Sequence, residues 1–340
     1  MDGLMKALVL EGPDNAQMKD VPVPPYGRDE ILIRTKAATI CTSDLTDIKE
    51  NPFKIPLPMV IGHEGAGIVV AAGEDVKKIQ VGDEVTAHPV MPCGKCASCL
   101  RKLSHLCDQM EHLAINRSGV FAEYFVSRED RVRKKTKSMS FAVSTLMEPV
   151  CVCLEALERG NVKEGDRVLI IGDGPFGILM AKLSVSKNPK QIILIGRHDY
   201  RLQKAAPAQI INSKKQPDTV KAVMEKTSGE GVDSVILCAS NAQAVDVAIE
   251  VLRARGTLSV FSALSGKTPV DLFRVHVKEL VIAGACNDMD FMDDAMALLD
   301  DTSMDLGCVI THEMPFDRWN AAFDQAANGK DSGLKVSMLL

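Results

Sequence analysis

Short apolar runs separated by turn residues characterise the first third of the chain. Met5–Leu10, Glu30–Thr35, Gly67–Ala72 and Asp83–Ala87 are such runs, and glycine or proline lies close to each of them. Runs of this length that are interrupted this often are typical of strands joined by tight turns. The pattern therefore predicts an antiparallel, barrel-like β domain.

From about Val162 the pattern changes to apolar runs that alternate with helix-like segments. The predicted strands are Arg167–Gly172, Gln191–Ile195, Gln209–Asn212, Val232–Cys238 and Gly256–Phe261. The predicted helices are Pro175–Lys187, Arg201–Ala206, Thr219–Thr227 and Ala242–Arg253. Strands that alternate with helices predict a parallel, doubly wound sheet. The C-terminal residues beyond about 290 predict helices that end in one strand, Gly333–Met338.

Composition and charge narrow the class of protein. The 340 residues are 46% hydrophobic, with 45 acidic and 40 basic side chains and a formal net charge of −5. These values are those of a folded globular chain and exclude a disordered or collagen-like one. No long basic run favours nucleic acid, and no stretch of about 18 apolar residues favours a membrane span. The N-terminal segment has no apolar signal core, so we expect a cytoplasmic protein.

Ten cysteines are unexpected in a cytoplasmic chain, because disulfides are rare in that compartment. Four of them have the spacing C-x2-C-x2-C-x7-C, and they are Cys93, Cys96, Cys99 and Cys107. Four thiolates bind zinc tetrahedrally and leave no position for a substrate, which predicts a structural zinc site. The alternatives are an iron–sulfur cluster and a zinc ribbon that binds nucleic acid.

A glycine fingerprint follows the first strand of the alternating region. Gly172-Asp-Gly174-Pro175-Phe176-Gly177 has the form G-x-G-x-x-G and lies between a predicted strand and a predicted helix. There the glycines allow a tight turn, a close approach of the backbone to a pyrophosphate, and close packing of helix and strand. The helix N-terminus favours the negative phosphates. We therefore expect this segment to bind a dinucleotide cofactor.

The end of the next predicted strand bears on the choice between NAD and NADP. A protein that binds NAD usually has Asp or Glu there to accept a hydrogen bond from the ribose 2′-hydroxyl. This chain has Gly196, with Arg197 next to it and Arg201 one helical turn further on. Two guanidinium groups suit a 2′-phosphate, so the sequence favours NADP over NAD. In the alternative interpretation both arginines are solvated and Asp199 holds the ribose.

Three further segments contain side chains that could bind a metal. They contain Cys41, the pair His63-Glu64, and Glu148. A single cysteine or histidine is more often a packing or hydrogen-bonded residue than a ligand. A thiolate, an imidazole and carboxylates that converge on one ion would form a mixed site that keeps a position open for substrate. Cys151 and Cys153 lie near Glu148 and are alternative ligands.

Taken in order, these motifs resemble the zinc-dependent medium-chain dehydrogenase/reductase superfamily, in particular its sorbitol (polyol) and threonine dehydrogenase branch. The motifs are Cys41-x-Ser-Asp44, Gly62-His-Glu-x-x-Gly67, the four-cysteine cluster, Gly119–Tyr124, Glu148-Pro149, the glycine fingerprint, Ile310–His312 and Gly333–Val336. The resemblance covers essentially the whole chain. It implies a Rossmann domain at 148–289 and a barrel-like (GroES-like) catalytic β domain at 1–147 and 290–340, with a structural zinc lobe near 89–112.

The resemblance also implies ligands for a catalytic zinc. Cys41 and His63 would bind this zinc, and Glu64 would bind it directly or intermittently. Glu148 occupies the position of the third ligand, which is Glu in the polyol branch and Cys in ordinary alcohol dehydrogenases. Together with the four-cysteine site, this implies two zinc ions per chain.

Proton-handling residues follow from the same resemblance. Ser43 matches the hydroxyl that hands off the substrate proton, and Asp44 matches the carboxylate behind the zinc-bound histidine. The chain departs from the family at Thr46, where a histidine often provides a proton exit, and at Glu155, where a histidine is also common. These departures affect the substrate assignment rather than the reaction class.

The implied activity is reversible hydride transfer between a polyol or secondary alcohol, or the matching ketone, and NADP(H) or NAD(H). One alternative is an L-threonine 3-dehydrogenase, although no partner for an amino-acid substrate is evident in the sequence. Another is a redox sensor that binds zinc and a dinucleotide without catalysis. The resemblance further implies a homodimer or homotetramer.

Overall fold

The computed structural model describes residues 3–264, 266–329 and 332–340, which form two compact units. The first unit comprises Met1–Cys151, Met289–Ser303 and Ile310–Leu340. The second comprises Val152–Asp288 and Met304–Val309. Among the described residues, no helix is long and apolar enough to cross a membrane.

The strands and helices have the following bounds. The strands are Leu4–Gly12 (β1), Asn15–Pro22 (β2), Glu30–Thr39 (β3), Met59–Val60 (β4), Glu64–Ala72 (β5), Glu84–Ala87 (β6), Val90–Met91 (β7), Glu111–His112 (β8), Tyr124–Arg128 (β9), Val132–Lys134 (β10), Arg167–Ile171 (β11), Gln191–Gly196 (β12), Gln209–Asn212 (β13), Val232–Leu237 (β14), Leu252–Val260 (β15), Val281–Gly284 (β16), Ile310–Pro315 (β17) and Lys335–Leu339 (β18). The α-helices are Thr42–Glu50 (α1), Ala97–Leu100 (α2), Phe141–Ser144 (α3), Met147–Arg159 (α4), Pro175–Leu183 (α5), Asp199–Leu202 (α6), Thr219–Lys226 (α7), Ala242–Val251 (α8), Leu272–Lys278 (α9), Met292–Asp300 (α10) and Trp319–Asn328 (α11).

The first unit is built on a largely antiparallel sheet, as the sequence predicts. Its strand order is β10-β6-β5-β3-β18-β17, and β9 also pairs with β3. A second sheet has the order β2-β1-β4. The core between these strands contains fully buried residues such as Ile31, Ile33, Phe121 and Phe125. Because β3 ends beside Cys41 and β5 begins at Glu64, two adjacent antiparallel strands deliver two of the predicted metal ligands to one end of the sheet.

The prediction for the C-terminal residues is wrong in one element. Helices α10 and α11 and the final strand β18 are present, but β17 lies between the helices and pairs parallel with β18. None of the six residues of β17 is fully buried, so the chain shows no apolar run at this point. A strand at the edge of a sheet needs no such run, since one of its sides is not covered by another strand.

The second unit contains a parallel sheet with the strand order β13-β12-β11-β14-β15-β16. This is the order 3-2-1-4-5-6 of a Rossmann fold, and it confirms the prediction of a doubly wound sheet. Residues 168–171 of β11 are all buried, which explains the continuous apolar run in the sequence. The predicted helix Pro175–Lys187 ends as an α-helix at Leu183 and continues as a 3-10 turn over Ser184–Lys187.

Candidate active site

The first turn of α1 organises one side of the candidate metal site. The backbone N–H of Cys41 donates a hydrogen bond to Asp44 Oδ2 at 2.8 Å, which satisfies a donor at the helix N-terminus. The other oxygen, Asp44 Oδ1, lies 3.1 Å from His63 Nδ1. One buried carboxylate therefore fixes both the helix start and the orientation of the imidazole. His63 Nε2 is left available to a metal, as in other metal sites in which a carboxylate supports the histidine.

Glycines shape the backbone that presents His63 and Glu64. Gly62 has a φ of +89°, and a Cβ there would lie 2.5 Å from the ring of Phe121. A Cβ on Gly67 would lie 2.1 Å from the carbonyl oxygen of Arg34 in β3. Only glycine fits at these two positions. This explains why one glycine directly precedes His63 and another follows Glu64 by three positions.

Cys41, His63 and Glu64 form one buried group. Their sulfur, imidazole nitrogen and carboxylate oxygen atoms all lie within 4.8 Å of one another. Glu148, in the first turn of α4, is outside this group of three. Burial is the main cause that raises the pKa of Glu64, and the negative charge of Glu148 adds to the increase. Among the described residues, Glu64 Oε2 and Glu148 Oε2 are buried and have no hydrogen-bond partner. Buried carboxylate oxygens without donors fit a bound cation, and this donor set fits zinc.

Lys335 lies directly behind the metal-binding group. Its Nζ is 2.7 Å from Glu64 Oε1, and the two side chains are 2% and 0% exposed. Burial, the largest influence, raises the pKa of Glu64 to about 7, while Lys335 opposes this increase. For Lys335, burial disfavours the charge, but Glu64 and Cys41 outweigh burial and raise its pKa. The ammonium therefore offsets part of the negative charge that thiolate and carboxylates bring into the protein interior.

The residues predicted to move protons lie on α1. Ser43 is half-buried in the first turn, and the Thr46 hydroxyl lies 3.3 Å from the carbonyl oxygen of Thr42 in the same helix. Asp47, which the sequence analysis did not single out, is buried on this helix. Burial, followed by the charge of Asp44, raises the pKa of Asp47 to about 6. Ser43 and Asp47 are four residues apart on a helix, so they lie on the same face.

His112, which was not predicted from the sequence, also lies close to His63. The centre of its ring lies 6.1 Å from that of His63. Burial, followed by the charge of His63, lowers the pKa of His112 to about 3. No motif marks this residue, because it enters the site from the short strand β8, which pairs only with β7 in the described structure.

The four clustered cysteines converge as predicted. Cys93 Sγ lies 4.0 Å from Cys99 Sγ, and Cys96 Sγ lies 3.7 Å from Cys107 Sγ. Four sulfurs about 2.3 Å from one zinc ion would be roughly 3.8 Å apart in a tetrahedron, so the cluster fits zinc. Backbone N–H groups donate hydrogen bonds to the sulfurs. The bond from the backbone N–H of Lys95 is the main cause that lowers the pKa of Cys93 to about 6.

The glycine fingerprint adopts the predicted strand–turn–helix. Gly172 has a φ of +127°. A Cβ on Gly177 would lie 1.9 Å from the carbonyl oxygen of Gly172, so only glycine fits there as well. Gly174 precedes α5, Pro175 is the first residue of that helix, and a Cβ on Gly174 would contact nothing within 4 Å. The ring of Phe176 lies 5.1 Å from that of Phe261. The turn therefore leaves space for a ligand beside the free N–H groups of α5.

A carboxylate does lie beside the end of β12, although it comes from another part of the chain. It belongs to Asp173, in the glycine turn that follows β11. Asp173 Oδ2 accepts hydrogen bonds from the backbone N–H groups of Arg197 and His198 at 2.6 and 2.7 Å. A Cβ on Gly196 would lie 2.5 Å from Asp173, so the glycine at the strand end makes room for this side chain. No local sequence pattern indicates this arrangement, since the partners are 24 and 25 residues apart.

The side chains around the end of β12 differ in their availability to a ligand. Asp199 is held by Lys215 at 2.8 Å and by Asn212 at 2.7 Å. Arg197 is exposed and forms no ion pair among the described residues, and Arg201 is half-buried. The alternative carboxylate, Asp199, is therefore engaged with its neighbours, whereas Arg197 is available.

Comparison with known proteins gives the same class of protein as the candidate metal and cofactor sites indicate. Residues 27–137 match the family model of the alcohol dehydrogenase GroES-like domain, and residues 175–301 match that of the zinc-binding dehydrogenases. The chain belongs to the zinc-dependent medium-chain dehydrogenase/reductase superfamily, within its threonine and sorbitol dehydrogenase-type branch. It is thus an oxidoreductase of a family that uses zinc and a nicotinamide cofactor.

Individual relatives cover nearly the whole chain. L-threonine 3-dehydrogenase from Pyrococcus horikoshii is 31% identical over 333 residues, which are 95% of each protein. A solved structure assigned as a zinc-binding dehydrogenase from Sinorhizobium meliloti 1021, bound to NADP, has a TM-score of 0.90 at 26% identity and covers 99% of this chain and 100% of its own. An alcohol dehydrogenase from Thermus sp. ATN1 has a TM-score of 0.89 at 27% identity, with 98% and 99% coverage.

Proposed function

We propose that this protein interconverts a polyol or secondary alcohol and the matching ketone, using NADP(H). The observation that supports this most directly is the convergence of Cys41, His63 and Glu64 in one buried group. A mixed set of thiolate, imidazole and carboxylate donors can hold zinc while leaving a position for the oxygen of an alcohol.

The chain's own residues have separate tasks in this reaction. Zinc held by Cys41, His63 and the carboxylates would act as a Lewis acid on the alcohol oxygen, and bound NADP would accept the hydride. Asp44 keeps the proton of His63 on Nδ1. The Ser43 hydroxyl takes the proton that leaves the alcohol and returns it in the reverse direction. Thr46 can pass a proton only as a hydroxyl, so the exit path continues through water.

Two zinc ions per chain are part of the proposal, one catalytic and one structural. The structural ion belongs to Cys93, Cys96, Cys99 and Cys107, whose four thiolates leave no position for a substrate. None of the ten cysteines, all of which lie within the described ranges, forms a disulfide. Because free thiols and thiolate-bound zinc are typical of a reducing compartment, we propose a cytoplasmic location.

We propose NADP as the preferred cofactor because of the charges near the end of β12. Arg197 is exposed without an ion pair in the described structure, and Arg201, Lys214 and Lys215 lie in the same part of the fold. The Asp173 carboxylate accepts hydrogen bonds from the backbone N–H groups of Arg197 and His198 and thereby fixes the backbone of Arg197. A guanidinium on a fixed backbone is well suited to a 2′-phosphate.

Replacing Arg197 with alanine is expected to lower kcat/KM for NADP about 10- to 100-fold, because a charge-assisted hydrogen bond contributes roughly 1.5–3 kcal/mol. The value for NAD should change less than about threefold, since NAD has no 2′-phosphate. Initial rates with both cofactors measure the effect. Arg255→Ala, which removes an exposed arginine paired with Glu279, is the control. An equal loss with both cofactors would contradict the proposed contact.

L-threonine is a second candidate substrate, because the relatives that cover this chain include L-threonine 3-dehydrogenases at about 30% identity. A panel of sorbitol, 1,2-propanediol, 2-propanol and L-threonine, each with NADP and with NAD, distinguishes the two functions. We expect the diols and polyols to have the highest kcat/KM. A clear preference for L-threonine would replace the proposed function by the second one, and cofactor binding without turnover of any substrate would favour a redox sensor.

We also propose that the protein forms a homodimer or homotetramer. Strand β16 is the last strand in the order of its sheet, and Val281 and Ile282 are 52% and 42% exposed there. The neighbouring helix α9 exposes Leu272, Phe273 and Val277. A strand edge and an apolar helix face of this kind are suited to pairing with a second copy. Light scattering should give a mass of two or four times 36.8 kDa, and a mass of 36.8 kDa would contradict the proposal.

A further inference from the structure

His112 occupies a place close to the candidate metal ligands that no motif accounts for. It belongs to β8, which pairs with β7 through Val90↔His112. Its ring centre is 6.1 Å from that of His63, and the two ring planes are inclined by 54°. Both histidines are in the first unit, so the imidazole of His112 lies beside the metal-binding group of that unit.

The hydrogen bonds of His112 define which of its nitrogens can meet a ligand. Nδ1 lies 2.5 Å from the carbonyl oxygen of Leu113. A carbonyl oxygen can only accept, so Nδ1 carries the proton and Nε2 has a free lone pair. The backbone N–H of His112 donates to Asn116 Oδ1 at 2.7 Å, which fixes the residue further. The ring is thus a neutral acceptor in a fixed orientation.

Nε2 is available to a ligand. Within the described ranges the hydrogen bond of the imidazole is made through Nδ1, and the residue is half-buried. A polar atom in such a position is satisfied either by water or by a bound molecule. Because it lies beside the proposed catalytic group, the bound molecule would be the substrate.

We propose that His112 is a specificity-determining residue that accepts a hydrogen bond from a second hydroxyl group of the substrate, on the carbon next to the one that is oxidised. This inference rests on the proposed function and narrows its substrate class to vicinal diols and polyols. A monohydric alcohol leaves the acceptor unpaired, and a site built for a hydrogen bond discriminates against an analogue that lacks it.

The test compares 1,2-propanediol with 2-propanol, which lacks only the second hydroxyl. The wild-type enzyme should prefer the diol. His112→Phe should lower kcat/KM for the diol about 10- to 100-fold, because a partner of the buried hydroxyl is lost. It should change kcat/KM for 2-propanol less than about threefold. His112→Gln places an amide oxygen near the position of Nε2, and it should retain more of the diol activity than His112→Phe does.

Other results separate the possible failures. An equal loss on both alcohols, or an unchanged diol preference in His112→Phe, would overturn the role of His112 while leaving the proposed function intact. A loss confined to L-threonine would assign the acceptor to an ammonium group instead and overturn the diol assignment. If the wild-type enzyme oxidises neither these two alcohols nor sorbitol, the proposed function and this inference both fail. Calorimetric binding of NADP and the Tm of each variant should match the wild type, and if His112→Phe fails this check, His112→Leu, which also lacks the acceptor, takes its place in the comparison.

Discussion

Cys41→Ala is expected to abolish alcohol-dependent reduction of NADP, with a loss of about 10³-fold or more in kcat, because Lewis-acid stabilisation is worth several kcal/mol. Cys41 lies at the start of α1, where its sulfur joins His63 and Glu64 in the buried group. Its removal takes away the only thiolate of that group. Steady-state rates and zinc content of the purified variant measure the effect, and the zinc content should fall from two ions per chain to one.

Cys308→Ala is the matched control for Cys41→Ala. Cys308 is a half-buried free cysteine of the second unit and belongs to neither candidate zinc group. Its replacement should leave two zinc ions and change kcat by less than about threefold, as expected for a substitution away from a functional site. If Cys41→Ala kept both its activity and two zinc ions, the catalytic assignment of Cys41 would be wrong.

Lys335→Met is expected to cost about 3–5 kcal/mol of unfolding free energy, since it leaves the buried charge of Glu64 without its partner. The protein should first be depleted of the labile zinc, so that no metal ion offsets the charge of Glu64. The loss of unfolding free energy relative to the wild type should be larger at pH 8 than at pH 5. The reason is that burial raises the pKa of Glu64, so that the folded protein takes up a proton there at low pH and avoids the cost.

The double variant Lys335→Met with Glu64→Gln separates the ion pair from other effects of the lysine. It removes both charges, so it should recover much of the stability that the single variant loses. Urea unfolding of the wild type, both single variants and the double variant gives the coupling energy. A coupling energy close to zero, or an equal loss at pH 5 and pH 8, would show that the 2.7 Å contact does not stabilise the fold.

Local patterns were sufficient to predict much of this protein. The fingerprint from Gly172 to Gly177 could be interpreted because a strand ends directly before it and a helix begins within it. The four-cysteine cluster could be interpreted because its members are close in sequence, so their convergence needs no knowledge of the fold. Cys41 and His63 are 22 positions apart, and they were connected only through the resemblance to a family.

Contacts between distant parts of the chain could not be predicted. Lys335 and Glu64 are 271 residues apart, and only the pairing of β18 with β3 and of β3 with β5 brings them together. Asp173 meets the end of β12 because parallel strands place their carboxyl ends side by side, which a sequence pattern does not reveal. His112 belongs to a strand of two residues, too short to give any periodicity.

Dependence of the reaction on the labile zinc tests the central claim most directly. NADPH formation from 1,2-propanediol should be measured before dialysis against a chelator, after it, and after zinc is restored. The account predicts that the chelator removes one of two zinc ions per chain and abolishes the reaction while the fold is retained, and that added zinc restores the rate. Full activity of a protein that has lost this zinc would contradict the account.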